Sequence, residues 1–210
     1  PAIVSVRPTL PPLYAIVDPL DTGRRPTDLA EAMLDGGARL LQLRWKGATT
    51  RELLAAAATI RILTRARGAL FLVNDRPDVA RAVGADGVHL GQDDLPVDAA
   101  RRVLGDDRLI GVSTHDVAQA VAAESAGADY IGVGPIFATA SKANTLVARG
   151  TAIVTRVRAA VRCPIVAIGG IGSDTAAEVR RAGADSVAMI GALVRADDVA
   201  AAVRDVLARI

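Results

Sequence analysis

The stretch Gln42-Leu-Arg44-Trp-Lys46-Gly47 sets three polar side chains at alternate positions. In an extended chain alternate residues share a face, so Gln42 and Arg44 point together, with Lys46 just beyond them. Arg offers a planar fork of donors and Lys a compact charge, a combination suited to a polyanion. Taken alone, the stretch reads about as well as a solvated Arg and a snorkelling Lys. Usage adds a hint, because of 25 basic residues only Lys46 and Lys142 are lysines. Further along come Asn74-Asp75 and His89-Leu-Gly-Gln92-Asp93-Asp94. Either Asp75 or Asp94 alone reads as a helix N-cap. Paired on neighbouring strand ends beside anion donors, they read as carboxylates for Mg²⁺, which takes one or two carboxylates and fills its shell with phosphate oxygens and water.

Ser113-Thr114-His115 offers a hydroxyl for a substrate or for capping the next helix. No acid partner is suggested for His115, so a Ser/His nucleophile is not indicated. Thr139-Ala-Ser141-Lys142 puts two hydroxyls and the second lysine on one polar stretch, an oxyanion clamp or a plain surface loop. Gly169-Gly170-Ile-Gly172 and Ile190-Gly191 are small enough for backbone N–H groups to approach a phosphate. They do not form GxGxxG in a first βα unit, so a dinucleotide is not indicated. Two anion sites, one with a metal and one without, suggest phosphorylated small-molecule substrates, one of them a diphosphate. No strong base or nucleophile stands out. That suits a reaction in which diphosphate leaves and is stabilised electrostatically.

The elements that must position these groups follow from the apolar pattern. Short runs rich in Val, Ile and Leu fall at 13–17, 39–44, 69–74, 86–90, 108–113, 130–134, 164–169 and 186–191. They show little polar alternation, as parallel strands buried on both faces do. Ala/Arg/Leu-rich segments with helical spacing lie between them, for example 50–67, 116–126, 174–182 and 197–210, with Thr27, Thr50, Asp116, Ser173 and Asp197 as candidate N-caps. The strings GGARL (36–40), GADGVHL (84–90), GADYIGV (127–133) and GADSVAM (183–189) repeat one helix-to-strand joint. Eight βα units in about 200 residues predict an α/β fold, a single-domain (β/α)₈ TIM barrel spanning 1–210. An open doubly wound sheet is the alternative. In a barrel the chemistry sits on the loops after the strands, where the residues above fall. The stretch 138–150 is the longest polar connection and reads as a mobile functional loop.

Composition narrows the class. Hydrophobic residues at 51% and charged residues at 23% support a sizeable core and exclude disorder. A net charge of +2, scattered arginines and 2% aromatics argue against nucleic acid. One cysteine, Cys163, excludes a disulfide scaffold and a cysteine-rich zinc site. No leader pattern and no long apolar run indicate secretion or a membrane, so the cytoplasm is the expected compartment. A homodimer is left open.

Taken in order from about 13 to 205, the motifs QxRxKG (42–47), Asn74-Asp75, HxGQxD (89–94), GVS (111–113), GxGPxFxTxSK (132–142) and IGGI (168–171) resemble those of the thiamine-phosphate synthase family. The resemblance implies a (β/α)₈ transferase. It would join hydroxymethylpyrimidine diphosphate to a thiazole phosphate with Mg²⁺, releasing diphosphate. It implies that Gln42, Arg44, Lys46, Asn74, Ser113 and Lys142 bind the pyrimidine diphosphate, with Arg44, Lys46, Ser113 and Lys142 acting in catalysis. Asp75 and Asp94 would hold Mg²⁺. Thr139, Ser141, Gly169, Gly170, Ile190 and Gly191 would bind the thiazole phosphate. The implied mechanism is dissociative, which matches the missing base. This chain departs from the family at Trp45, where a charged or smaller residue is usual, at Ser141 in place of Thr, and at Gly191 where Ser is common. Two alternatives stay open: a related thiazole tautomerase, for which His115 would move a proton, and a non-catalytic relative that binds thiamine precursors.

Overall fold

The structure is a computed structural model that describes residues 9–19, 22–139 and 147–210. Its strands are β1 (Leu13–Val17), β2 (Leu40–Leu43), β3 (Leu70–Asn74), β4 (Gly87–Leu90), β5 (Leu109–Thr114), β6 (Tyr130–Val133), β7 (Ile165–Ile168) and β8 (Ser186–Met189). Its helices are α1 (Pro26–Asp35), α2 (Thr50–Ala66), α3 (Pro77–Val83), α4 (Val97–Leu104), α5 (Val117–Ser125), α6 (Ala152–Ala160), α7 (Ser173–Arg181), α8 (Gly191–Val194) and α9 (Val199–Arg209). The strands pair in sequence order, all parallel, and β8 returns to β1 with Tyr14 beside Ala188. The architecture is a (β/α)₈ barrel, as the apolar runs predict.

The helices bury one stripe each. In α2 the buried residues Leu53, Ala56, Ala57, Ile60 and Thr64 recur at three- and four-residue steps, the spacing of a single helical face. The helix starts depart from the sequence expectation in four places. Thr49, not Thr50, caps α2: its hydroxyl accepts from Glu52 N–H while the Glu52 carboxylate accepts from Thr49 N–H. Asp198, not Asp197, caps α9, and α7 is capped by Gly172 rather than Ser173. Thr27 lies inside α1, whose entry is set by Pro26. In each case the cap is the last residue with extended backbone before the helix, which composition alone does not locate to one position. Asp116 caps α5, and its carboxylate accepts from Gln119 N–H.

The repeated joint has a structural cause. Asp86, Asp129 and Asp185 each precede an even strand. Their backbone N–H groups donate to Phe71, Ile110 and Ile165 O of the preceding strand, each at 2.8 Å. Their carboxylates accept the N–H of those same residues at 2.7–2.8 Å. Arg61, Arg101 and Arg158, from α2, α4 and α6, then pair with the three carboxylates. The joint is a clamp repeated every two βα units from β4 on, and it ties β4, β6 and β8 to their predecessors at the N-terminal end of the barrel. In the first pair the equivalent position is Arg39, which donates to the Ala38 carbonyl.

Strand pairing also sorts inside from outside. Ile16 lies beside Gln42, Gln42 beside Leu72, Asn74 beside His89, His89 beside Gly111 and Gly111 beside Tyr130. Neighbours in register share a face, so these residues line the barrel interior, while Phe71, Val73, Val88 and Ile110 pack outward against the helices.

Candidate active site

A cavity of about 620 Å³ opens at the C-terminal ends of the strands. Arg44, Lys46, Asn74, Asp75 and Asp94 line one side of it and Gly169, Gly170, Ile190 and Gly191 the other, with Ser113, His115 and Thr139 also on its wall. Gln42 does not line this cavity. It lies one layer deeper, fully buried, and its Nε2–H donates to the Tyr14 hydroxyl at 2.7 Å, beside a void of about 20 Å³. Ser141 and Lys142 lie outside the described residues, as does most of the polar part of the 138–150 loop.

The acidic side is tightly arranged. Asp75 directly follows β3 and is the one described residue other than glycine with positive φ, at 61°. Its N–H donates to His89 O at 2.8 Å. Asp tolerates this backbone conformation better than most residues, and the turn is a local outlier at a site-lining position. Lys46 is ion-paired to Asp75. Asp94 is held by Gly91 N–H, which donates to its Oδ2 at 2.6 Å, and the Asp94 and Asp75 carboxyls hydrogen-bond each other. Burial alone would raise Asp75, but hydrogen bonds from Asp94 and Lys46 and the Lys46 charge outweigh it and hold the group below the ordinary carboxylate range. Asp94 is raised, first by burial and then by its hydrogen bond to Asp75. The two neighbouring carboxyls are thus shifted in opposite directions, as expected for a close acidic pair. Two like-charged oxygen donors pressed together beside a lysine are a donor set that a hard divalent cation would relieve. Among the described residues no cluster of three or more His, Cys, Asp or Glu is placed to hold a metal. The donors present fit an ion that completes its shell with substrate oxygens.

Arg44 is fixed by Asp18, a partner the sequence reading missed. The two are ion-paired, and Asp18 is only 4% exposed. Asp18 directly follows the first apolar run, so the rule that functional groups follow strands would have found it.

On the opposite wall, the backbone folds so closely that side chains are excluded. A Cβ on Gly170, at φ +64°, would sit 2.5 Å from Ala138 O and 2.8 Å from Phe137 Cβ. This glycine therefore lets the chain after β7 lie against the chain after β6. A larger residue there would push the β6 loop away rather than simply fill the cavity. His115 Nδ1 lies 2.7 Å from Gly134 O and donates to it, which leaves Nε2 as the acceptor nitrogen.

A closed (β/α)₈ barrel whose polar cavity lies at the C-terminal rim is the architecture of a barrel enzyme. Comparison with known proteins narrows this. The sequence pattern of the family described as thiamine monophosphate synthase matches residues 13–193. Thiamine-phosphate synthase of Methanoculleus marisnigri is 51% identical over 199 residues, covering 94% of this chain and 94% of that protein. The one from Chloroflexus aurantiacus is 49% identical over 197 residues, covering 93% and 91%. The structure of thiamine phosphate pyrophosphorylase from Pyrococcus furiosus superimposes with a TM-score of 0.86 at 38% identity, covering 94% of each chain. The chain belongs to the thiamine monophosphate synthase family, and with it to the transferases of thiamine biosynthesis.

Proposed function

We propose that this cavity joins hydroxymethylpyrimidine diphosphate to a thiazole phosphate, forming thiamine phosphate and diphosphate with Mg²⁺. The observation that carries the reading is the gathering of Arg44, Lys46, Asn74 and the Asp75–Asp94 pair on one wall, facing the glycine-lined wall across a single cavity. The first wall suits a diphosphate and the second a monophosphate. Arg44, preset by Asp18, and Lys46 would bind the diphosphate. Asp75 and Asp94 would hold Mg²⁺, which supplies charge neutralisation to the leaving group. The C–O bond to diphosphate breaks with its electron pair on the departing oxygen. The thiazole nitrogen lone pair then forms the new C–N bond to the pyrimidine methylene. Cations already in place stabilise the developing anion without reorganising, so the step needs no strong base. Lys142, from the family motif, would add a further cation, and Ser113 would contact the pyrimidine substrate.

A second reading rests on His115, whose acceptor nitrogen is oriented by Gly134 O. It would serve proton transfer in a thiazole isomerisation. The acidic pair has no task in that chemistry, and this favours the first reading.

One assay separates the two. Both substrates are supplied with and without Mg²⁺, and thiamine phosphate and diphosphate are followed together. Equal amounts of the two products, formed only with Mg²⁺, are expected. Isomerised thiazole without diphosphate would instead establish the second reading. Asp94→Asn should lower Mg²⁺-dependent turnover about 10²–10³-fold, the range seen when a transition-state stabilising group is removed. Unchanged turnover would remove Asp94 from the metal site.

A further inference from the structure

Beneath the cavity the barrel interior holds a continuous polar chain. Gln42 Nε2–H donates to Tyr14 Oη at 2.7 Å, and Tyr14 Oη lies 3.0 Å from Tyr130 Oη. Tyr130 Oη lies 2.9 Å from His89 Nδ1, and His89 Nε2 lies 2.9 Å from Ser113 Oγ. These residues come from β2, β1, β6, β4 and β5, so the chain crosses the barrel rather than following one strand. Space has been cleared for it. A Cβ on Gly111 would fall 1.9 Å from Tyr130 Cζ, and one on Gly132 would fall 3.1 Å from His89 Cε1. The Tyr130 ring stacks on His89, with centroids 5.6 Å apart, and meets Tyr14 edge-on.

The direction of the chain follows from counting protons. Burial pushes both phenols well above their ordinary range, so each keeps its single proton. Tyr14 accepts from the Gln42 amide, so its own proton goes to Tyr130. Tyr130 has then accepted, and its proton goes to His89 Nδ1. A neutral imidazole that accepts at Nδ1 carries its hydrogen on Nε2 and donates it to Ser113 Oγ. Ser113 Oγ has then accepted, and its proton is available to the cavity that Ser113 lines.

We propose that this one-way chain fixes His89 as the Nε2–H tautomer and presents Ser113 to the substrate as a hydrogen-bond donor. Tyr14, Tyr130 and His89 are thereby positioning residues. The substrate atom facing Ser113 is then an acceptor, a phosphoryl oxygen or an unprotonated ring nitrogen, and not an amino group. The kinetic part of this inference rests on the function proposed above; the tautomer does not.

Two measurements test it. In ¹⁵N-labelled protein, long-range imidazole correlations report the tautomer of each histidine. The chain holds two, His89 and His115, and a His115→Gln variant assigns the signals. His89 is expected as Nε2–H and His115 as Nδ1–H. Finding His89 as Nδ1–H reverses the chain and overturns the proposal with no assay involved. In Tyr130→Phe, which keeps the ring but removes the link, His89 should populate both tautomers. kcat/KM for the pyrimidine diphosphate should fall about 10–100-fold, the cost typical of losing a group that orients a functional residue. The KM for thiazole phosphate should stay within about twofold. Ser113→Ala should show a similar loss, and the double variant no further loss, because the two changes break one chain. Tyr14→Phe, one link back, should give a smaller effect of the same kind. Wild-type kinetics and an unchanged tautomer in Tyr130→Phe would overturn the proposal. If the wild-type protein makes no thiamine phosphate, the function reading fails and the tautomer alone decides the chain.

Discussion

Arg44 owes its orientation to a neighbour far away in sequence. Arg44 sits at the cavity with its guanidinium held by buried Asp18. An arginine so anchored presents its remaining N–H groups in one orientation, so less freedom is lost when an anion binds. Asp18→Asn keeps the shape and removes the charge. It should raise the KM for the diphosphate substrate roughly tenfold, by analogy with other losses of an orienting partner, and leave the thiazole phosphate KM unchanged. Steady-state kinetics with each substrate varied in turn would show it, and an equal rise in both KM values would argue against the assignment. Cys163 behaves differently. Burial, and then the charge of Glu124, whose carboxylate accepts from Cys163 N–H at 2.6 Å, push its thiol from 9.0 to about 12. The thiolate is the reactive form, so iodoacetamide at pH 8 should label the native protein far more slowly than the urea-unfolded chain. The sign of the linkage follows. The folded state holds this proton more tightly than the unfolded state, so the associated stability is intact below about pH 9. It is lost as pH rises toward 12.

Among the elements, the informative feature is the Asp clamp before β4, β6 and β8. The GAD strings were legible as helix-to-strand joints, and Gly84, Gly127 and Gly183 do adopt positive φ there. What the carboxylate does was not legible, because its partner N–H lies 15 to 20 residues earlier, on another strand. Asp129→Ala would strand the Ile110 N–H and release Arg101 together. A buried donor left without a partner costs about 1–3 kcal/mol, so the urea midpoint should drop by a corresponding amount with no change in the slope. A loss well under 0.5 kcal/mol would show that water takes over the N–H.

For the whole molecule, closure of the barrel sets what the interior can be. Each strand has two neighbours, so none is left as an edge, and all inward side chains must fit one another across the barrel. Barrels of this class usually fill that space with branched apolar residues. Here much of it is taken by Tyr14, Gln42, His89 and Tyr130, and the fit depends on Gly111. Gly111→Ala should therefore cost at least the upper part of the 1–3 kcal/mol range for overpacking, since its Cβ would collide with the Tyr130 ring. Thermal unfolding followed by circular dichroism would measure this. A melting temperature equal to wild type would mean that the rings can shift freely.

The sequence by itself determined the eight strands, their parallel character and the strand ends on which the chemistry sits. Each of these rests on local signals: apolar runs, helical spacing, glycine at the joints, and polar residues just past a strand. Only the tertiary structure decided that Asp75 and Asp94 meet beside Lys46, that Asp18 holds Arg44, that Gln42 lies beneath the cavity instead of on its wall, and that two tyrosines and a histidine link Gln42 to Ser113. These depend on register and closure, which place residues from separate strands within 3 Å of one another. A linear pattern records which face a residue takes but not which distant residue it meets there.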